Sequence, residues 1–364
     1  FASEGGTNLK GAAKAEALVA AYGAQGFDYA GNGPEDMAVW QQADQAIVVG
    51  ATRAPEGATR IEGGWTPRAL LKALRPHQWV KNVLLFLPMI AAHAFYMDTF
   101  LRVCLGIVAF SAAASTIYIV NDLLDIEADR LHATKKRRPF AAGTVPIPVG
   151  MAACFTLALI ALGTGAALSW HMFGVVAFYM ALSLAYSMRL KRLRWIDIAT
   201  LASLYTLRVV AGAAASEVPA SIFMLIFIFP IFITLGCVKR MTELALATND
   251  KPLPGRGYAR GDRGDLLNMA ALGMVGALVI FFLYSWSDQA QILYPDQWLL
   301  WVALLPIAAW LYRMIRLGYM GKQDYDPIVF AMRDKRGVGY LLITLSLMFY
   351  SAGLWSEWYH RLFG

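Results

Sequence analysis

The chain has 364 residues, 58% of them hydrophobic and 16% charged, with a mean hydropathy of +0.49 and a formal net charge of +7. Such values exclude an ordinary soluble globular domain and point to an integral membrane protein. Nearly all basic residues fall between apolar runs, which fits the positive-inside rule and argues against a nucleic-acid-binding patch.

Residues 1–50 differ in composition from everything later. Lys10 and Lys14 open an alanine-rich helical pattern, and Gly26 to Trp40 forms a Gly-rich turn running into a second helix. Ala46 to Gly50 reads as a short buried strand, which completes an α/β alternation. The turn resembles the last acidic motif of the haloacid-dehalogenase (HAD) phosphatase superfamily. Lys10 or Lys14 stands at the place of its phosphate-binding lysine, Asp36 is kept, and Asn32 replaces a usual metal-binding Asp. The resemblance implies a degenerate or truncated HAD-like fragment over residues 1–50 that does not contain the family's nucleophilic aspartate, and no phosphatase activity is assigned to it. The chain begins with Phe1 and shows no signal-peptide pattern, so it reads as a piece of a longer protein. Residues 51–68, with Gly63 and Gly64, read as a linker.

The remainder, 69–364, reads as one membrane domain. An amphipathic approach ends in Leu74-Arg75-Pro76-His77-Gln78-Trp79-Val80-Lys81-Asn82, with Trp79 beside Lys81 as an interfacial anchor. Nine apolar segments of spanning length follow, near 83–97, 101–120, 147–169, 172–188, 196–215, 219–238, 266–286, 298–315 and 338–356. Alternate connections hold almost all the charge: Arg130 to Arg138, Arg189 to Arg194, Lys239 to Arg263 and Arg313 to Arg336. That asymmetry places these loops, and any site built from them, on the cytoplasmic side of a bacterial inner membrane.

Between the second and third segments lies Asn121-Asp122-Leu123-Leu124-Asp125-Ile126-Glu127-Ala128-Asp129-Arg130, then Lys135-Lys136-Arg137-Arg138-Pro139. On a helix Asp122, Asp125 and Asp129 are spaced i, i+3, i+7 and share one face. Like charges on one face call for a cation, and hard oxygen ligands suit Mg²⁺ bridging to substrate phosphate. Arg138 and its basic neighbours would hold those phosphates. A solvated charged loop would look similar but needs no such spacing.

Further on, Tyr186 and Lys191 precede Asp197, the lone acid of a basic loop. Asp197 stands at a helix start, where a carboxylate is electrostatically favoured, or serves as a second metal-side carboxylate. Arg208 lies deep in an apolar segment, which marks a cavity or partner. Lys239, Arg240 and Glu243 close the sixth segment, and the two bases either snorkel or bind phosphate. The cysteines (Cys104, Cys154, Cys237) and five histidines are scattered, with neither redox nor metal-ligand spacing.

Together these words resemble the UbiA superfamily of intramembrane transferases. Within it, Arg75-Pro76-x-Gln78-Trp79-Val80-Lys81-Asn82, Arg138-Pro139, Tyr186-Ser187 with Lys191, and Arg208 with Gly212 are similar to the decaprenyl-phosphate phosphoribosyltransferases. The resemblance implies an all-α membrane bundle of nine helices and metal sites at Asp122, Asp125 and Asp129. Asn121, Arg75, Lys81, Arg138, Tyr186, Lys191, Arg208, Lys239 and Arg240 would hold phosphates, and Asp197 would complete the catalytic set. It implies Mg²⁺, a polyprenyl lipid and a diphosphate-bearing co-substrate. Where aromatic prenyltransferases of the superfamily often pair carboxylates in a second motif, Asp197 stands alone. Transfer of 5-phosphoribose to a polyprenyl phosphate is the leading expectation. Prenyl transfer to an aromatic acceptor such as 4-hydroxybenzoate is the alternative. A transporter would place charge at midplane rather than gather it at one face.

Overall fold

A computed structural model describes residues 9–50, 52–53, 55–61, 65–132, 134–247, 252–253, 255–323 and 326–363. Gly63 and Gly64 of the expected linker lie outside them. The chain divides into two compact units, residues 1–70 with 130–146, and residues 71–129 with 147–364.

In the first unit, α1 (Ala12–Tyr22) precedes β1 (Tyr29–Gly31), α2 (Met37–Trp40), β2 (Ala46–Val49) and β3 (Thr59–Ile61). The strands form a parallel sheet in the order β1-β2-β3. β3 falls within the stretch expected as linker; its backbone groups pair with β2 although no apolar alternation marks it in sequence. Lys14 donates to the Tyr29 hydroxyl at 2.9 Å, and that hydroxyl donates to Asp36 at 3.0 Å.

The second unit is helical because a membrane core leaves backbone groups no water to bond, so each apolar segment closes its own ladder. After α3 (Pro67–Leu74) comes a 3₁₀ stretch, Pro76–Phe86, and the short α4 (Leu87–Ala91). Helices α5 (Met97–Leu124), α6 (Ile126–Leu131), α7 (Ile147–Leu168), α8 (Trp170–Met188), α9 (Ile196–Ser216) and α10 (Ile222–Ala245) follow. Then come α11 (Arg263–Tyr284), α12 (Asp288–Leu293), α13 (Trp298–Tyr319), α14 (Pro327–Arg333), α15 (Lys335–Ser351) and α16 (Leu354–Phe363).

Among the described residues, seven helices are long and apolar enough to span: α5, α7, α8, α9, α10, α11 and α13; α15 and α16, meeting at 75°, bring the number to eight if they are one broken span. The expected nine are therefore corrected. Segment 83–97 is split between the 3₁₀ stretch, α4 and a turn in which His93 has φ +52°. Pro88 lies within that segment and Pro76 opens the 3₁₀ stretch that runs into it, and neither has the N–H a long helix would use.

Helix α9 is the hub. Its Ala202, Tyr205 and Val209 pack with Phe232 of α10 and Leu311 of α13, while its Leu204, Ala211 and Ala215 pack with Phe110 of α5 and Val176 of α8. A Cβ on Gly212 would sit 2.0 Å from the Leu85 carbonyl oxygen, so α9 approaches the 3₁₀ stretch more closely than any larger side chain permits. That contact holds Leu85 of the 3₁₀ stretch against the C-terminal part of α9.

Candidate active site

The acidic stretch does not lie on one uninterrupted helix. Helix α5 ends at Leu124, with Asp125 as its C-cap at φ −98°, ψ 9°, and α6 restarts at Ile126. The single face expected for Asp122, Asp125 and Asp129 is thus broken, because the backbone at Asp125 leaves the helical region. Asp122 is buried and ion-paired, accepting from Arg75 Nη2 at 2.6 Å. The Arg75 guanidinium also lies over the Tyr118 ring, 4.9 Å from its centroid. Pro76 keeps Arg75 out of the helical region, and its φ of +54° turns the side chain back towards α5. Asp129 is buried, and Asn121 and Asp125 are half-buried.

No group of three acidic, His or Cys side chains converges on one point among the described residues. The donor chemistry nonetheless fits Mg²⁺, which takes one or two carboxylates and completes its shell with water and substrate phosphate. Asp125, whose side chain carries no hydrogen bond among the described residues, is the most available of the three.

Asp197 has a different place from that expected of a metal ligand. It is fully buried and accepts from Arg240 Nε at 2.5 Å, Arg240 Nη2 at 3.2 Å, Arg256 Nη1 at 3.1 Å and the Tyr186 hydroxyl at 2.9 Å. Arg240 is itself fully buried and also pairs with Glu243. Two acids and two guanidiniums therefore neutralise one another, with Arg256 Nη1 also donating to Tyr186 at 2.9 Å. Lone charges would be intolerable at that depth; the cluster exists because each is matched. Arg256 was not singled out in the sequence. Arg256 sits in a loop full of bases, where nothing in its spacing separates it from its neighbours.

A second polar cluster lies between the 3₁₀ stretch and α9. Lys81, 7% exposed, is ion-paired with Asp326, 8% exposed. Asp326 also accepts from the Tyr205 hydroxyl at 3.4 Å and caps α14 through the Ile328 and Val329 amides at 3.2 Å. Burial by itself would raise the Asp326 carboxyl, but the charges of Lys81 and Lys239 override it and hold the group at about 2. Arg208 donates to Asn82 Oδ1 at 3.2 Å, the Leu204 carbonyl at 2.6 Å and the Tyr179 hydroxyl at 3.0 Å, and Asn82 donates to Ser111 at 2.9 Å. Asp326 was missed by sequence reasoning. Its signal was an Asp-Pro step opening an apolar turn, an N-cap pattern hidden within a loop read only for its bases.

The remaining expected residues are placed as follows. Lys239 is half-buried on α10, and Lys191 is half-buried on the 3₁₀ turn Leu190–Arg192 between α8 and α9. Arg138 lies on the 130–146 segment, which belongs to the other compact unit.

The model of the UbiA prenyltransferase family matches residues 83–333. An uncharacterised protein of Sinorhizobium fredii, y4nM, is 35% identical over 364 residues, covering 95% of this chain and 70% of that protein. Decaprenyl-phosphate phosphoribosyltransferase of Mycobacterium tuberculosis is 39% identical over 185 residues, 49% of this chain and 61% of that enzyme. The solved structure of a UbiA homolog from Archaeoglobus fulgidus bound to GPP and Mg²⁺ superposes with a TM-score of 0.57 at 15% identity, over 77% of this chain and 99% of that one. At that identity the likeness speaks to the fold. With a helical membrane bundle, a broken Asn-Asp stretch and buried cations on facing elements, the chain belongs to the UbiA prenyltransferase family of integral membrane transferases.

Proposed function

We propose that this protein transfers 5-phosphoribose from phosphoribosyl diphosphate to a polyprenyl phosphate, releasing diphosphate. The observation that carries the reading is the 39% identity, over 185 residues, to a decaprenyl-phosphate phosphoribosyltransferase. A phosphate oxygen of the lipid bonds to ribose C1 as the C1–O bond to diphosphate breaks, and the diphosphate leaves with the electron pair. The nucleophile is already an anion, so it needs alignment rather than a general base. Mg²⁺, when bound, would supply charge neutralisation on the departing diphosphate. Asn121, Asp122, Asp125 and Asp129 are the residues that would hold it. Arg75 keeps Asp122 oriented from the other side, and Lys81 and Arg208 supply buried positive charge to phosphate oxygens without rearrangement. Asp197 acts indirectly, by holding Arg240 and Arg256 in place. The basic connections support a site that faces the cytoplasm.

Prenyl transfer from a polyprenyl diphosphate to an aromatic acceptor is the second reading, supported by the family's name and by the A. fulgidus homolog's bound GPP. The test offers detergent-purified protein with Mg²⁺ each substrate pair separately. Phosphoribosylated lipid that disappears with EDTA supports the first reading, and a prenylated hydroxybenzoate in its place overturns it. Asp125→Asn should abolish turnover and leave the melting midpoint unchanged; wild-type rates in that variant would sink the metal assignment.

A further inference from the structure

Among the described residues, the second polar cluster carries more charge than its own acids balance. Lys81, Arg208 and Lys239 come from three separate elements, and the one acid among them is Asp326. Asp326 is committed to Lys81, Tyr205 and the α14 amides. Arg208, 4% exposed, spends its hydrogen bonds on neutral acceptors: Asn82, the Leu204 carbonyl and Tyr179. Among the described residues, no carboxylate lies within ion-pair distance of Arg208 or Lys239. Neighbouring acids offer no relief, since Asp197 and Glu243 are matched by Arg240 and Arg256, and Asp122 by Arg75. Among the described residues, three cations thus face one anion, a net charge of +2. The same field reaches His77, whose imidazole is pushed below its ordinary value first by burial and then by Arg75, Lys81 and Arg333.

Unbalanced buried charge is costly and is retained where an anion arrives to complete it. The arriving group must carry about two negative charges at neutral pH and offer several acceptor oxygens, which describes a phosphomonoester. A metal-bound diphosphate fits poorly, because a metal would need free carboxylate lone pairs and those of Asp326 are taken. We propose that Lys81, Arg208 and Lys239, trimmed by Asp326, form the subsite of a phosphomonoester dianion, separate from the diphosphate end at Asn121–Asp129. Two groups of the proposed reaction have this chemistry, the head of the polyprenyl phosphate and the 5-phosphate of the ribosyl donor, so the inference rests on that reading. Lys239, with no ion pair among the described residues, is the direct donor. Asp326 is a positioning residue that fixes Lys81 and keeps the empty site from reaching a net charge of +3.

The test measures binding of farnesyl phosphate and of ribose 5-phosphate to the purified full chain in detergent with EDTA, with farnesol as control. EDTA separates this subsite from any metal-dependent one. Farnesyl phosphate competing with ribose 5-phosphate assigns both to the same place; tight binding of one alone names the source. Lys239→Gln should weaken monophosphate binding about tenfold to a hundredfold, the scale of one charge-assisted hydrogen bond. It should also leave the unliganded melting midpoint equal or higher, because it removes an unbalanced charge. Arg208→Gln should weaken binding similarly, but it loses hydrogen bonds and folds less well, so Lys239→Gln carries the decision. Unchanged monophosphate binding in Lys239→Gln overturns the subsite, as does a clear fall in its unliganded midpoint, even if phosphoribosylated lipid is still made. Binding that the variant weakens, in protein that makes no phosphoribosylated lipid, supports the subsite and overturns the donor assignment instead.

Discussion

Asp197→Asn removes one negative charge from a side chain that is fully buried and receives four donors, from Arg240 Nε, Arg240 Nη2, Arg256 Nη1 and the Tyr186 hydroxyl. An amide offers a single acceptor oxygen and turns an NH₂ towards guanidinium donors, so at least one Arg240 contact becomes repulsive. The cluster passes from neutral to a net charge of +1. Breaking a buried pair from one side costs about 3–5 kcal/mol. The lower end applies, because Glu243 still holds Arg240. About 3 kcal/mol corresponds to a fall of roughly 5 °C or more in the melting midpoint. The assay is thermal unfolding in detergent with EDTA and without substrate, so that metal binding contributes nothing. Were Asp197 a metal-side carboxylate as its position in sequence allows, neutralising it in metal-free protein would relieve repulsion. An unchanged or raised midpoint would therefore refute the structural account. Pairing Asp197→Asn with Arg240→Met should recover part of the loss, since the second change removes the stranded charge.

Gly212→Ala drives a methyl into the Leu85 backbone, at 2.0 Å from its carbonyl oxygen, and should destabilise by about 1–3 kcal/mol or prevent accumulation of folded protein. A normally folded, fully active Gly212→Ala would show that α9 and the 3₁₀ stretch are not in contact. Asp326 has a carboxyl held at about 2 in the fold against an ordinary 3.8, so it stabilises the folded state above pH 4. That contribution, on the order of 2 kcal/mol, is lost as the pH falls from about 4 towards 2. The melting midpoint should drop over this window, and Asp326→Asn should flatten the drop; identical profiles would refute it. EDTA should stop turnover yet leave the midpoint unchanged, since Asp122, Asp197 and Asp326 are balanced by protein cations. A chelator-induced fall in the midpoint would mean that the metal is structural.

The membrane character, seven of the spanning helices and the position of the acidic stretch were legible because their signals are local. An apolar run of about twenty residues has one stable form in a bilayer, and Asn121 to Asp129 is visible as a word. The ends of the bundle were not legible in that way. Segment 83–97 is apolar enough to span, but Pro76, Pro88 and the contact with Gly212 fix it as a 3₁₀ stretch and short turns. Whether the last apolar run is straight depends on its packing against α13, and α15 and α16 meet at 75°.

Charge shows the same division. Composition alone establishes that this chain sits in a membrane, because hydrophobic length is additive over a segment. Which charge answers which was decided only by tertiary structure. Asp197 and Arg240 are 43 residues apart, and Tyr205 and Asp326 are 121 apart. No periodicity links such positions. They meet because α9 lies at the centre of the bundle, and inside a low-dielectric core a buried charge is tolerated only beside its partner or before a ligand that becomes one.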